Sequence, residues 1–524
     1  MKLQEAKSVL CPANPIRHPR IIQGGMGVGV SGWALARAVS RAGQLGVVSG
    51  TALAIIMARR LQLGDLDGEM RRALEHFPVA GIAGRIIDRY YIPDGKAEDR
   101  PFKAMPFPAI RLCPELLELT VASNFAEVFL AKDGHTGMVG VNYLEKLQIP
   151  TLASLFGAML AGVDYVLIGA GVPRSIPGAL DRFAGGQAAQ LRVDISDLPA
   201  DEEVLSTFDP AEFCGGHAPT LTRPRFLAII SSATLATALA RKSNGRVDGF
   251  IIEGSTAGGH NAPPRGPAQF NARGEPRYGP LDAPDLERIA ALGLPFWLAG
   301  SYADPGTLEA AERLGATGIQ VGTAFAFCEE SGIAVDLKQR VMDRACAGTV
   351  DVLTDPAASP TGFPFKVVQM EATLSEAAVY ESRTRQCDIG YLRSAYRKTD
   401  GSTGHRCAAE PVDQYVRKGG KLENTCGRKC LCNGLLATIG LGQLRADGEL
   451  EPAILTAGDD VARLGRFLHP GGRYTAAEVV RYLLSKVPVD GKDARDEFMP
   501  HRSSAAPLAH STPRRPAALA RLVE

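Results

Sequence analysis

Near the middle of the chain, Gly249-Phe250-Ile251-Ile252-Glu253-Gly254-Ser255-Thr256-Ala257-Gly258-Gly259-His260 runs from apolar residues through a glycine turn to one histidine. Imidazole is the side chain best suited to moving a proton near neutral pH. Gly258 and Gly259 lack a Cβ, so their backbone can approach a ligand closely and expose its amides. The stretch reads either as a strand that delivers His260 to a cleft or as a strand, a turn and a surface histidine. A second kind of chemistry is suggested further on. Cys387, Cys407, Cys426, Cys430 and Cys432 make up half of the ten cysteines, and the last three fall within seven residues. Thiolates so close can hold zinc or an iron–sulfur cluster, with Arg428 and Lys429 to offset their charge. The Cys-x3-Cys-x-Cys spacing is not a standard ferredoxin or zinc-ribbon pattern, and small buried residues are the plain alternative.

The elements that must position these residues are short apolar runs of the kind buried on both faces of a parallel sheet. They fall at 20–24, 45–49, 138–142, 164–169, 226–231, 249–253, 295–299 and 318–322. Between the last two, Asp304-Pro305 offers an N-cap and a first-turn proline, Leu308, Ala311 and Leu314 an apolar face, and Gly315 a stop. Strand, helix and strand, with glycine at consecutive strand ends, is how the last loops of a (β/α)8 barrel build a phosphate site. The amides of Gly300, Ser301, Gly322 and Thr323, with the Thr323 hydroxyl, could hold a dianionic phosphate, and ordinary tight turns are the alternative. The loop Gly24-Gly25-Met26-Gly27-Val28-Gly29 superficially matches a dinucleotide fingerprint. The next strand ends in Ser49-Gly50 rather than an acid, so a Rossmann reading is rejected.

With Ile21-Ile22-Gln23-Gly24-Gly25-Met26, Gly140-Val141-Asn142, Ala257-Gly258-Gly259-His260, Ala299-Gly300-Ser301 and Gln320-Val321-Gly322-Thr323 in this order, residues 15 to 330 resemble the nitronate monooxygenase family, which also contains FMN-dependent enoyl reductases. The resemblance implies a TIM barrel holding FMN without a covalent link. It implies Gln23, Gly24, Gly25 and Met26 along the isoalloxazine, and Gly259, Gly300, Ser301, Gly322 and Thr323 around the phosphate, with Gly258 in the same loop. Gln320 would reach the ribityl chain or phosphate, Asn142 the ring or substrate, and His260 would be the catalytic residue. The implied reaction is oxidation of an alkyl nitronate with O2 to a carbonyl compound and nitrite. The alternatives are an NAD(P)H-dependent reductase of enoyl thioesters and a flavin-binding, non-catalytic partner in an assembly. Two departures touch the substrate side: Thr256 stands where the family commonly has Glu, with Glu253 three residues earlier, and Asn261-Ala262-Pro263-Pro264-Arg265-Gly266 replaces a short arginine-glycine.

The expected architecture is therefore α/β, a (β/α)8 TIM barrel over 15–345 with insertions at about 65–137 and 172–225. A mainly helical, cysteine-rich extension over 346–487 would pack on it, and 488–524 would be a flexible tail. The second insertion is expected at the catalytic rim. His135, just before a strand, falls on the opposite rim, and His217 in a loop. The run Asp355 to Lys366 is either a surface linker or a loop over the barrel mouth that carries Lys366 toward an anionic substrate. Lys plus Arg is 58 against 57 Asp plus Glu, so overall charge favours neither nucleic acid nor membrane. No apolar run reaches about 18 residues, and the start of the chain shows no secretory pattern, so a cytoplasmic enzyme is expected. Its partners would be a small-molecule substrate and O2, with a homo-oligomer left open.

Overall fold

A computed structural model describes residues 18–469 and 472–485. The tail expected after 488 lies outside them. Eight parallel strands follow the expected runs: β1 (Ile21–Gln23), β2 (Gly46–Ser49), β3 (Val139–Leu144), β4 (Tyr165–Gly169), β5 (Arg225–Ile230), β6 (Gly249–Glu253), β7 (Phe296–Ala299) and β8 (Gly318–Val321). Each pairs with the next, β8 pairs with β1, and a parallel bridge between Ile22 and Leu45 closes the ring. Side chains pointing inward from alternate positions, among them Ile22, Val47, Tyr165, Leu167, Leu227, Ile251 and Trp297, fill the barrel as a buried core of their own. The outward-facing residues join a second, larger core with the surrounding helices. That double burial is why the strands read as unbroken apolar runs.

Gln23 is fully buried at the end of β1 and is wired into the barrel wall. Its Oε1 accepts the Val47 amide of β2 at 2.8 Å, and its Nε2 donates to Ser31 Oγ at 2.9 Å and to the Gly24 carbonyl. The seam where the ring closes thus relies on a side-chain amide as well as on backbone pairing.

The stretch 65–137 contains the helices Glu69–Glu75 and Ile82–Tyr90, which pack against the long helix Pro114–Lys132. Phe77 meets Phe125 edge-on at 5.2 Å. Glu127 of the long helix is buried; it accepts the Trp33 amide at 2.8 Å and pairs with Arg60 at 2.7 Å. In the second insertion, Ala189–Arg192 and Leu205–Phe208 form an antiparallel ribbon, and Ile195–Ser196 pairs in parallel with Ser394–Arg397 of the C-terminal extension.

The extension is not mainly helical. It contains the antiparallel pair β9 (Val352–Asp355) and β10 (Phe365–Val368), the pair Ser394–Arg397 and Thr403–Arg406, and short helices such as Val412–Arg417, Leu431–Thr438 and Ala476–Leu483. Proline, glycine and close turns leave few uninterrupted runs in which helix could propagate. Among the described residues no helix is long and apolar enough to cross a membrane.

Replacing Gln23 with Leu should keep the volume but strand the Val47 amide in the core, while Ser31 Oγ keeps the Met26 amide and the Gly24 carbonyl as partners. At about 1–3 kcal/mol for one unsatisfied buried group, denaturant unfolding should show a loss of roughly that size. A loss under about 0.5 kcal/mol would mean that the seam does not depend on this side chain.

Candidate active site

The C-terminal ends of the strands surround a cleft of about 1350 Å³, its open mouth included. Gly24, Gly25, Met26, Asn142, Gly258, Gly259, His260, Gly300, Ser301, Gln320, Gly322 and Thr323 all line it. The topology therefore brings together residues more than 290 positions apart, because every βα turn of a parallel barrel opens on the same rim. Gln23 is the exception. Its side chain faces the seam between β1 and β2 and not the cleft, so the expected contact with a bound ring system is not available to it.

At the ends of β7 and β8 the backbone is set up to receive an acceptor. Gly300 has φ +106° and Ser301 φ +57°, so two successive residues occupy the left-handed region. A side chain on Gly300 would also sit 2.8 Å from Thr256 Oγ1. Among the described residues, no hydrogen bond uses the amides of Gly300, Ser301, Gly322 or Thr323. The buried Ser301 Oγ and Gln320 Oε1 have no partner either. Buried polar groups are normally satisfied, so this cluster of open donors and acceptors is the chemistry expected around a bound phosphate and a polyol chain. These residues fit FMN.

The Thr323 hydroxyl is engaged differently from the sequence expectation. It accepts the Gly458 amide at 2.9 Å and faces the carboxyl of Asp460, so only its amide remains open. Thr456, Ala457, Gly458 and Asp460 belong to the cleft wall, and nothing in the sequence around them marks them as site residues. Burial raises the Asp460 carboxyl, against the opposing pull of Arg466.

His260, from the turn after β6, also lines the cleft. Its Nε2 lies 2.7 Å from Ser359 Oγ, and its ring meets Phe365 edge-on at 4.9 Å. The loop is pinned from both sides: Lys366 donates its amide to the Gly259 carbonyl, and Asn261 donates to the Pro364 carbonyl, each at 2.9 Å. Burial, with the charge of Lys146 adding to it, pushes His260 down to about 4. The imidazole is therefore neutral at neutral pH. Lys366 itself does not reach the cleft. It is buried and tied to Asp459 at 2.6 Å and Thr354 Oγ1 at 2.9 Å, because β10 turns its side chain under the extension.

Glu253, the last residue of β6, lines the cleft, and burial pushes its carboxyl up to about 7. The available signal was its place at the end of a barrel strand, where functional groups concentrate. His135 instead closes a helix end, bonded to the Ala131 carbonyl and accepting the Gly137 amide.

The cysteines divide. Cys426 is exposed, whereas Cys387, Cys407, Cys430 and Cys432 line one small cavity in the extension. None is in a disulfide, and burial raises all four of the latter thiols, Cys387 to about 11. Among the described residues, no three His, Cys, Asp or Glu side chains are drawn together as one metal ion would require, so a five-cysteine zinc site is not present.

The Glu253 shift has a signed consequence for stability. Between about 4.5, its ordinary value, and about 7, the folded chain holds a proton that the unfolded chain has released. Its contribution to stability is complete below that window and is lost as pH rises through it. Unfolding of the flavin-free protein, followed from pH 4.5 to 8, should therefore show a decline that Glu253→Gln flattens. Parallel curves would mean that the carboxyl is well hydrated in the folded state.

Residues 220–359 match the family model described as nitronate monooxygenase. A probable nitronate monooxygenase of Staphylococcus haemolyticus is 30% identical over 183 residues, 34% of this chain and 48% of the relative. Another from Bacillus subtilis is 35% identical over 119 residues, 23% of this chain and 32% of the relative. The match thus spans less than half the length of either. Among solved structures, FabK from Thermotoga maritima aligns with a TM-score of 0.45 at 15% identity, covering 90% of this chain and 92% of that one. The matched stretch holds β5 to β8 with the Ala257–His260, Ala299–Ser301 and Gln320–Thr323 turns, and over it this chain is similar to the nitronate monooxygenases.

Proposed function

We infer that the protein is an FMN-dependent oxidoreductase whose substrate is an alkyl nitronate, oxidised with O2 to a carbonyl compound and nitrite. The observation that carries this reading is the set of open amides and unpartnered polar atoms at the ends of β7 and β8, lining one cleft with a neutral histidine. Gly300, Ser301, Gly322 and Thr323 would hold the phosphate through their amides, Gln320 the ribityl chain, and Gly24, Gly25 and Met26 would lie along the ring, with Asn142 beside them. FMN bound there supplies the capacity to take electrons from the substrate and pass them to O2.

The chain's own groups then decide which substrate is accepted. A general base works best when its pKa lies near the working pH, and a histidine held near 4 is a weak base toward a carbon acid. The same neutral imidazole can donate a hydrogen bond to an anion without first being charged. Lys146, close enough to depress His260, adds a positive field on that side of the cleft. Both features favour a substrate that is already anionic, a nitronate over its neutral nitroalkane.

His260→Asn should retain FMN. Turnover of neutral nitroalkanes, already slow because the imidazole is a weak base, should fall by about a further 10²-fold, the lower end for a lost proton-transfer group, and turnover of nitronates should fall less. Equal losses on both would remove His260 from proton transfer. The reaction itself is tested by adding an alkyl nitronate to the FMN-loaded protein without oxygen. Bleaching of the flavin, with nitrite released when air returns, is the expected result. An unchanged spectrum, together with rapid bleaching by NAD(P)H, would overturn it in favour of enoyl-thioester reduction.

A further inference from the structure

We propose that Cys387, Cys407, Cys430 and Cys432 are the ligands of an iron–sulfur cluster housed in the C-terminal extension, and that Cys426 takes no part. The four thiols arrive from three separate segments and line a single cavity whose unfilled space, mouth included, is about 300 Å³. The rest of its wall is largely apolar, with Ile389, Leu392, Ala409 and Leu431. Four unpaired cysteines gathered at one point by three stretches of chain, and not joined as disulfides, call for a common occupant.

The spacing distinguishes between occupants. Zinc binds thiolates at about 2.3 Å, which would bring four sulfurs to within roughly 4 Å of one another. No such group is drawn together among the described residues. In a cluster, different irons take the cysteines, and inorganic sulfide fills the middle, so the thiolates stand around a space instead of closing on a point.

The surroundings are equally particular. The Asn433 side chain donates to Cys430 Sγ at 3.4 Å. Hydrogen bonds to the sulfurs are among the main ways a protein holds and tunes such clusters. Two guanidinium groups supply positive charge: Arg393 lines the cavity near Cys387, Cys407 and Cys432, and Arg383 lies near Cys430. Arg383 pairs with Glu451 through one nitrogen, but its buried Nη2 has no partner among the described residues. A lone buried guanidinium nitrogen is costly unless something anionic sits beside it. Glu410, also on the wall, pairs with Lys418 at 2.8 Å through one oxygen, and its other, buried oxygen has no partner among the described residues.

The position also gives the cluster a task. Pro360 lines the same cavity, and Arg428, four residues before Cys432, donates to the Ala357 and Ser359 carbonyls. Ser359 is the residue whose hydroxyl meets His260. A filled site would therefore brace the 357–361 loop against the cleft.

The test is elemental and independent of turnover. Full-length protein, purified without oxygen and then treated with iron and sulfide under reducing conditions, should contain about two or about four iron atoms per chain with matching acid-labile sulfide. A broad visible absorbance should lie beneath the flavin bands. Cys432→Ser should lose the iron, and Cys426→Ser should keep it. One zinc per chain, or no metal before and after reconstitution with all four thiols still titratable after unfolding, would overturn the proposal. The wild-type analysis stands even if Cys432→Ser does not fold. It also separates this proposal from the nitronate reading, since iron can be present whatever the flavin's substrate.

Discussion

The extension is clasped onto the rim of the barrel, and both walls of the cleft depend on that contact. Thr456 Oγ1 accepts the Gly259 amide at 2.8 Å, Gly458 donates to Thr323 Oγ1 at 2.9 Å, and Asp459 donates to the Thr256 carbonyl at 3.0 Å. Lys366 then ties Asp459 to β10, whose own backbone is bonded to the histidine loop. The chain at 456–459 thus touches the turn after β6 and the turn after β8 at once. The approach is so close that a side chain on Gly258 would lie 2.8 Å from the backbone of Ala457 and Gly458. Glycine is required there because a neighbouring backbone fills the space where a Cβ would go, a different reason from the freedom of the turn itself. A barrel alone would leave these loops to solvent; here a second layer of chain fixes them.

The legible part of this molecule is the part written in local patterns. Each barrel strand is a short run of branched and aromatic residues buried on both faces, and each ends in glycine or a small polar residue, so order, type and rim could all be read from adjacent positions. Gln23 could not be placed in this way. A glutamine beside two glycines reads as a ligand contact, and only the bridge of Ile22 to Leu45, where β1 meets β2, turns it toward the Val47 amide. Lys366 failed for the same reason. Its charge suggested a substrate anion, but the pairing of β10 with β9 directs it to Thr354 and Asp459. Thr456 to Asp460 were invisible because their partners lie about 135 to 200 residues away, and no periodicity records a contact of that span. The extension was misread as mainly helical because its short hairpins resemble polar loops until a partner strand is supplied.

The two titrating groups of the cleft are set by the same dry environment but in opposite senses. Burial disfavours charge whatever its sign, so it lowers His260 toward 4 and raises Glu253 toward 7. At neutral pH the histidine is uncharged and the carboxyl is near its midpoint. A cleft of this kind holds little fixed charge of its own on the substrate side beyond Lys146. An anion entering it finds donors and a positive field without having to displace a carboxylate that is firmly ionised. Asp460 at the other end obeys the same logic, since burial makes its charge costly just where a phosphate would sit.

This arrangement makes the position of His260 a property of the extension as much as of the barrel. The imidazole is held by Ser359, and Ser359 is held through its carbonyl by Arg428, in the segment that leads into Cys430 and Cys432. Phe365 supports the ring from the side and belongs to the strand that Lys366 anchors. A neutral histidine with one hydrogen bond to a serine hydroxyl is sensitive to small displacements, because both its tautomer and its direction follow from that partner. Movement of the cysteine-lined region would thus reach the substrate side through two residues. The barrel, with the 456–460 segment against it, sets where a flavin can bind, and the 357–366 loop sets what the cleft histidine can do.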